Sequence, residues 1–163
     1  MGPETPPAKL RNPMPLVSIT RLRLRSWGYL PAFIAAAVWS VLQARRARGN
    51  LAVGVSREAG NVFWTRSIWT DESAMRSFRD SGAHRAAMPK LLDWCDEASV
   101  VHWTQESAQP PTWKEAHLRM QRDGRPSRVK HPSEAHRRFE CQKQGCKSPH
   151  PAAAQRPSPS RGG

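Results

Sequence analysis

Two side chains stand where chemistry would use them and packing alone does not call for them. They are His84, in the corner Ser81-Gly82-Ala83-His84, and Arg66, in the middle of the aromatic run Val62–Trp69. An imidazole titrates near neutrality, so His84 can act as general base on a phenolic or enolic substrate. The alternative role is a histidine that caps a helix and ties the corner together. Arg66 sits among apolar neighbours, where a guanidinium needs either a carboxylate ligand in a cavity or an ion pair at an interface. Trp64, Trp69 and Trp103 supply an aromatic wall for a small hydrophobic ligand, flat and polycyclic or isoprenoid, or else ordinary core. His102 alternates with Val101 and Trp103, and either lines the same cavity or is a satisfied strand histidine at a subunit interface. A catalytic reading requires His84 and Arg66 to face one solvent-accessible cavity.

A second set of reactive side chains, His131, His136, Cys141, Cys146 and His150, is spaced almost evenly near the C-terminus. Zinc ligands come instead as close pairs joined across a folded knuckle, and too little that is apolar lies between these residues to build one. The expectation is no metal site.

The elements that must position these residues follow from periodicity. Residues 16–25 are β-branched and then alternate Arg21-Leu22-Arg23-Leu24-Arg25, which predicts a strand. Ser26 to Ala44 is a 19-residue stretch without formal charge, close to the length of a membrane span. Its residues Phe33, Ile34, Ala37, Val38, Val41 and Leu42 form one helical stripe with smaller and polar groups opposite, which predicts a buried amphipathic helix and no membrane span. Strands are predicted over 51–56 and 62–69, joined by a turn containing Gly60. Thr70 then serves as an N-cap ahead of Asp71 and Glu72. A helix ends at Ser81-Gly82, a second one passes Pro89, which must kink or restart it, and a last strand covers 98–105.

Composition divides the chain. Its 163 residues are 38% hydrophobic with seven tryptophans, six of which lie between Met14 and Trp103. Residues 1–112 carry 14 Lys and Arg against 9 Asp and Glu, whereas residues 113–163 carry 12 against 4. These features predict a Pro-rich extension over 1–13, with Met14 as an alternative start, one domain over 14–108, and a disordered basic tail over 109–163 with a short helix near 113–121. The tail has almost no aromatics to serve as stacking groups and the chain shows no nucleic-acid-binding signature, so no specific nucleic acid is expected. Three cysteines without a secretory leader predict a reducing, cytoplasmic setting.

The element order is β-α-β-β-α-β, the ferredoxin-like plan of a four-stranded antiparallel sheet with helices on one face, an α+β fold. The other sheet face also carries large apolar groups. Its simplest cover is a second copy, which makes the expected assembly a homodimer, a dimeric α/β barrel.

The segment FWTRSIWTDESAMRSFRDSGAHRAAM, residues 63–88, resembles the strand-helix-helix segment of the dimeric α/β-barrel superfamily. Its nearest branches are the antibiotic-biosynthesis-monooxygenase-like and spheroidene-monooxygenase-like proteins, and the similarity spans about residues 14–108. The resemblance implies a pocket between sheet and helices with His84 near its mouth. It also implies a monooxygenase-like enzyme for an aromatic, polyketide-like or isoprenoid substrate, most simply without a cofactor. A non-catalytic barrel that binds a ligand or a structural partner is the alternative, because the superfamily hosts several reactions. Haem is the open cofactor alternative, through His84 as in spheroidene-type members. The haem-degrading branch carries its ligand one turn later, where this chain has Met88, and strand one lacks that branch's asparagine.

Overall fold

The computed structural model describes residues 14–144, with side chains through residue 140. The extension expected over 1–13 and the tail beyond 144, including Cys146 and His150, lie outside the described residues, as does the side chain of Cys141. Five strands form one antiparallel sheet: β1 (Leu16–Leu24), β2 (Asn50–Glu58), β3 (Val62–Trp69), β4 (Cys95–Thr104) and the two-residue β5 (Arg125–Pro126), in the order β2-β3-β1-β4-β5. The first four strands reproduce the ferredoxin-like arrangement read from the sequence, and β5 is an addition to it.

Helices α1 (Leu30–Arg46), α2 (Glu72–Arg79) and α3 (Gly82–Trp94) pack on one face of the sheet. Leu16, Ala44, Trp69 and Met75 form one cluster there, and Leu24, Phe33, Phe63 and Cys95 form another. The expected stripe of α1 is corrected in part. Phe33 and Ala44 are buried, but Ile34 and Val38 are 44% and 51% exposed, because the sheet and α3 occupy only a narrow seam of the helix. By length and composition Trp27–Arg46 could cross a membrane, at a mean hydropathy of 1.3.

Two local expectations also shift. Asp71, not Thr70, is the N-cap of α2: its Oδ1 accepts the Ala74 N–H at 2.9 Å while Thr70 donates its hydroxyl to Oδ2. That charge-assisted bond holds the Asp71 carboxyl below its ordinary range. Helix α3 runs through Pro89 without restarting, since the residue is exposed and water can satisfy the carbonyl left without a partner.

Gly49 closes α1 at a φ of +82°, and a Cβ there would lie 2.6 Å from both Ala74 Cβ and Thr70 Oγ1. Its carbonyl accepts the Thr70 N–H at 2.8 Å, so the turn cannot slide away. Gly49→Ala is expected to cost at least about 1–2 kcal/mol, read as a lower urea midpoint with unchanged slope.

The largest departure concerns the opposite face. The charge and proline content of residues beyond 108 predicts a disordered tail with one short surface helix near 113–121; that helix is present as α4 (Trp113–Asp123), but it is packed on the sheet, and the chain goes on to form β5 and α5 (Glu134–Gln144). Thr112 caps α4 by accepting the Glu115 N–H at 3.2 Å, and Trp113, Ala116 and Met120 give it an apolar stripe at i, i+3 and i+7. That stripe lies on Val17, Ile19, Val62, Trp64, Ile68 and Val101, which are all buried. The cover expected from a second copy is thus supplied by α4 of the same chain.

Candidate functional site

Alternation along β3 assigns the site residues to two sides of the sheet. Trp64, Arg66 and Ile68 pair across β1 with Arg21, Ile19 and Val17 on the α4 side, while Phe63 and Trp69 face α1–α3. His84 stands on the latter side, its ring 4.8 Å from Phe78, which itself stacks on Trp69 at 5.0 Å. His84 and Arg66 therefore lie on opposite faces of one sheet and do not share a cavity.

Each of them has a local partner. The His84 Nδ1 lies 3.1 Å from the Arg79 carbonyl, which makes Nδ1 the protonated nitrogen, and its backbone N–H donates to Gln43 Oε1 at 2.9 Å. These contacts tie the α2–α3 corner to α1. Burial holds the His84 pKa below the ordinary histidine value, outweighing the Arg79 carbonyl bond. Below that ordinary value the unfolded chain takes up a proton that the folded one resists. Stability at this residue is therefore complete at neutral pH and falls on acidification. The urea midpoint is expected to drop between about pH 7 and pH 5, and less steeply in His84→Gln.

Arg66 has partners within the chain. Its guanidinium donates to the Pro111 carbonyl and lies 4.5 Å over the Trp113 ring, which fastens the start of α4 to the sheet. Gly54 on β2 makes room for it, since a Cβ there would approach Arg66 Nε to 3.3 Å.

Trp69 is fully buried and donates its indole N–H to Ser67 Oγ at 2.9 Å, so it is core and not pocket wall. Trp103 is half-buried on the α4 side under the Arg119 guanidinium, at 4.8 Å. His102 is exposed on the α1–α3 side of β4, opposite Ser18. Partial desolvation and then Arg125 and Arg79 lower its pKa. Haem gains no support at His84, whose ring is wedged between Phe78 and the Arg79 carbonyl.

Of the six residues singled out from sequence, Trp64 borders a cavity of about 740 Å³ that opens between the sheet, α4 and α5. Trp64 is 5% exposed and its indole N–H has no acceptor among the described residues. The His117 ring of α4 lies 4.2 Å from the Trp64 ring, and its Nε2 is 3.2 Å from Glu58 Oε1. A nitrogen facing a carboxylate is the protonated one, so His117 presents Nδ1 as its base and Glu58 orients the ring.

The cavity floor is held by a buried carboxylate. Glu97 receives Arg21 at 2.7 Å, Arg23 at 3.1 Å and the Ser133 hydroxyl at 3.0 Å. Ser133 in turn accepts the His136 N–H at 3.0 Å, which starts α5. His136 is 3% exposed, with Nε2 between the Ser127 carbonyl at 3.0 Å and Glu140 at 3.2 Å. These contacts give it a structural role in holding α5. His131 lies 4.0 Å from Asp93, and no group of three or more metal-competent side chains occurs among the described residues.

Sequence reasoning missed His117, Glu58, Glu97 and Arg21. A signal for His117 existed in the capped apolar stripe of α4, which would have put it beside Trp64. Nothing local paired it with Glu58, 59 positions earlier in the chain.

Residues 18–90 match the family model described as antibiotic biosynthesis monooxygenase, so the resemblance to that branch holds. A conserved protein from Methanosarcina mazei Go1 superposes with a TM-score of 0.52 at 13% identity, over 58% of this chain and 95% of that one. The protein PA3566 from Pseudomonas aeruginosa superposes at 0.51 with 14% identity, over 60% and 99%. NE2512, a protein of unknown function from Nitrosomonas europaea, does so at 0.51 and 14%, over 63% and 99%. At these identities the likeness speaks for the ferredoxin-like fold alone. Helices α4 and α5 lie beyond the family match. No curated protein matches the chain.

Proposed function

We propose, taking the antibiotic biosynthesis monooxygenase domain at residues 18–90 as premise, that this protein is a monooxygenase-like enzyme for a small hydroxylated aromatic molecule of polyketide type. The observation that carries the reading is the His117–Glu58 pair beside Trp64, three residues that line one cavity, with the Trp64 indole N–H buried and without an acceptor among the described residues. The cavity volume suits a small ligand. His117 Nδ1 removes a proton from an acidic C–H or phenolic O–H, Glu58 stabilises the imidazolium that forms, and the Trp64 N–H donates to the developing oxyanion. A resonance-stabilised carbanion formed this way is electron-rich enough to reduce dioxygen directly. The overall change is a CH2 converted to C=O, with the second oxygen atom leaving as water, so no cofactor is required by the balance.

The test is dioxygen uptake by the full chain with a panel of anthrones and naphthols. One O2 consumed per carbonyl formed supports the enzyme. Saturable binding without uptake favours the second reading, a non-catalytic ligand-binding protein, for which the half-exposed His117 and Glu58 side chains speak.

The homodimer expected from the apolar sheet face is also affected. Two copies that met through that face would have to displace α4, so we take the full chain to cover itself and any pairing to use another surface.

A further inference from the structure

The surface least explained by the fold is the outward face of α1. Pro31, Ala32, Ile34, Ala35, Val38 and Trp39 are all exposed, Trp39 by 63%, and no polar side chain interrupts them. At 3.6 residues per turn they form one continuous band, and Arg45 and Arg46 extend it at i+7 from Val38 and Trp39. A helix on the outside of a protein ordinarily turns charged groups to solvent, and this one does the reverse.

The rim of the band has one sign. No acidic residue occurs between Glu4 and Glu58, whereas nine Lys and Arg do. Exposed Arg45, Arg46 and Arg48 have no ion-pair partner among the described residues. At the other end Arg57 lies 5.2 Å over the ring of Trp27, which is 56% exposed. An apolar band, exposed tryptophans and an arginine rim are the attributes of a helix that lies in a bilayer interface, with its axis along the surface.

We infer that α1 docks this protein, through that band, on an anionic lipid surface. Charge decides against a second copy as the occupant. A two-fold pairing of this helix would oppose one arginine rim to another with no acid on either to balance it. Anionic headgroups complement the rim, and each arginine near such a surface contributes attraction that salt weakens. The helix does not leave the domain to do this, because Phe33 and Ala44 stay packed on the sheet side. The inference is independent of the reaction proposed above.

The experiment uses the full chain with vesicles of phosphatidylcholine alone and with added phosphatidylglycerol. Co-sedimentation and a blue shift of tryptophan emission are expected with the anionic vesicles and much less with the neutral ones. The basic C-terminal residues could attract the same vesicles by charge alone, so the deciding variant is Val38→Ser/Trp39→Ser, which keeps every charge. It is expected to lower partitioning by about tenfold or more while the urea midpoint stays in place, since both residues are exposed. Unchanged partitioning of that variant overturns the inference, as does failure of the wild-type chain to bind anionic vesicles. A dimer that the same variant converts to monomer overturns it in favour of a second copy. Ile34→Ser repeats the test at a third position of the band.

Discussion

A chain stopped after residue 108 is expected to lose its solubility as a monomer. Helix α4 is the cover for Val17, Ile19, Trp64, Ile68 and Val101, none of which is more than 5% exposed in the full chain. Uncovering an apolar side chain of this size forfeits roughly 1.5–3 kcal/mol. Even partial exposure of five is comparable with the total of about 5–15 kcal/mol that holds a domain together. The shortened chain must therefore bury the face against another copy or aggregate through it. Size-exclusion chromatography with light scattering should give a monomer for the full chain and for a chain stopped at 144. The chain stopped at 108 should give dimers or insoluble material. A stable monomer from the shortest form, with the unfolding midpoint of the full chain, would show that α4 is dispensable.

His117→Asn is expected to reduce turnover by about 10²- to 10⁴-fold, the usual contribution of a general base. Glu58→Gln should cost less, because the imidazole stays in place and loses only the partner that orients and stabilises it. Trp64→Phe keeps a ring under His117 and removes the N–H, so it should lower kcat more than it raises KM if that donor meets a developing oxyanion. His84→Asn is the contrast. That residue ties α2 to α3 on the other side of the sheet, so the variant should lose stability and keep its turnover. The reverse pattern, turnover lost with His84 and kept with His117, would move the reaction to the α1–α3 side.

The sheet was legible because its strands carry clean periodicity. Val62–Trp69 has the bounds read from the sequence, and its alternation already set Trp64, Arg66 and Ile68 against Phe63 and Trp69. The same alternation contained the separation of Arg66 from His84, since Phe78, three residues before the corner, stacks on Trp69. What stayed hidden depends on contacts distant in sequence. The Arg66 guanidinium finds its acceptor at Pro111, 45 residues on, and a dipeptide that reads as punctuation proves to be a fastening. The short helix near 113–121 was legible, but composition misled over its packing and over α5, where Lys, Arg and Pro on the outer surface outnumber the few residues that pack. Helix α4 needs only Trp113, Ala116 and Met120 to seat itself.

The fastening has a consequence for how the protein is made. The four long strands are complete in sequence once Thr104 has been synthesised, but their cover ends at Asp123. At about 5–20 residues per second the ribosome takes roughly 1–4 s to supply the 19 residues between them. For that interval the nascent chain carries its four long strands with one apolar side uncovered, held back by the exit tunnel from its own lid. The growing chain is stickiest in those seconds, and the Arg66 latch is what ends them.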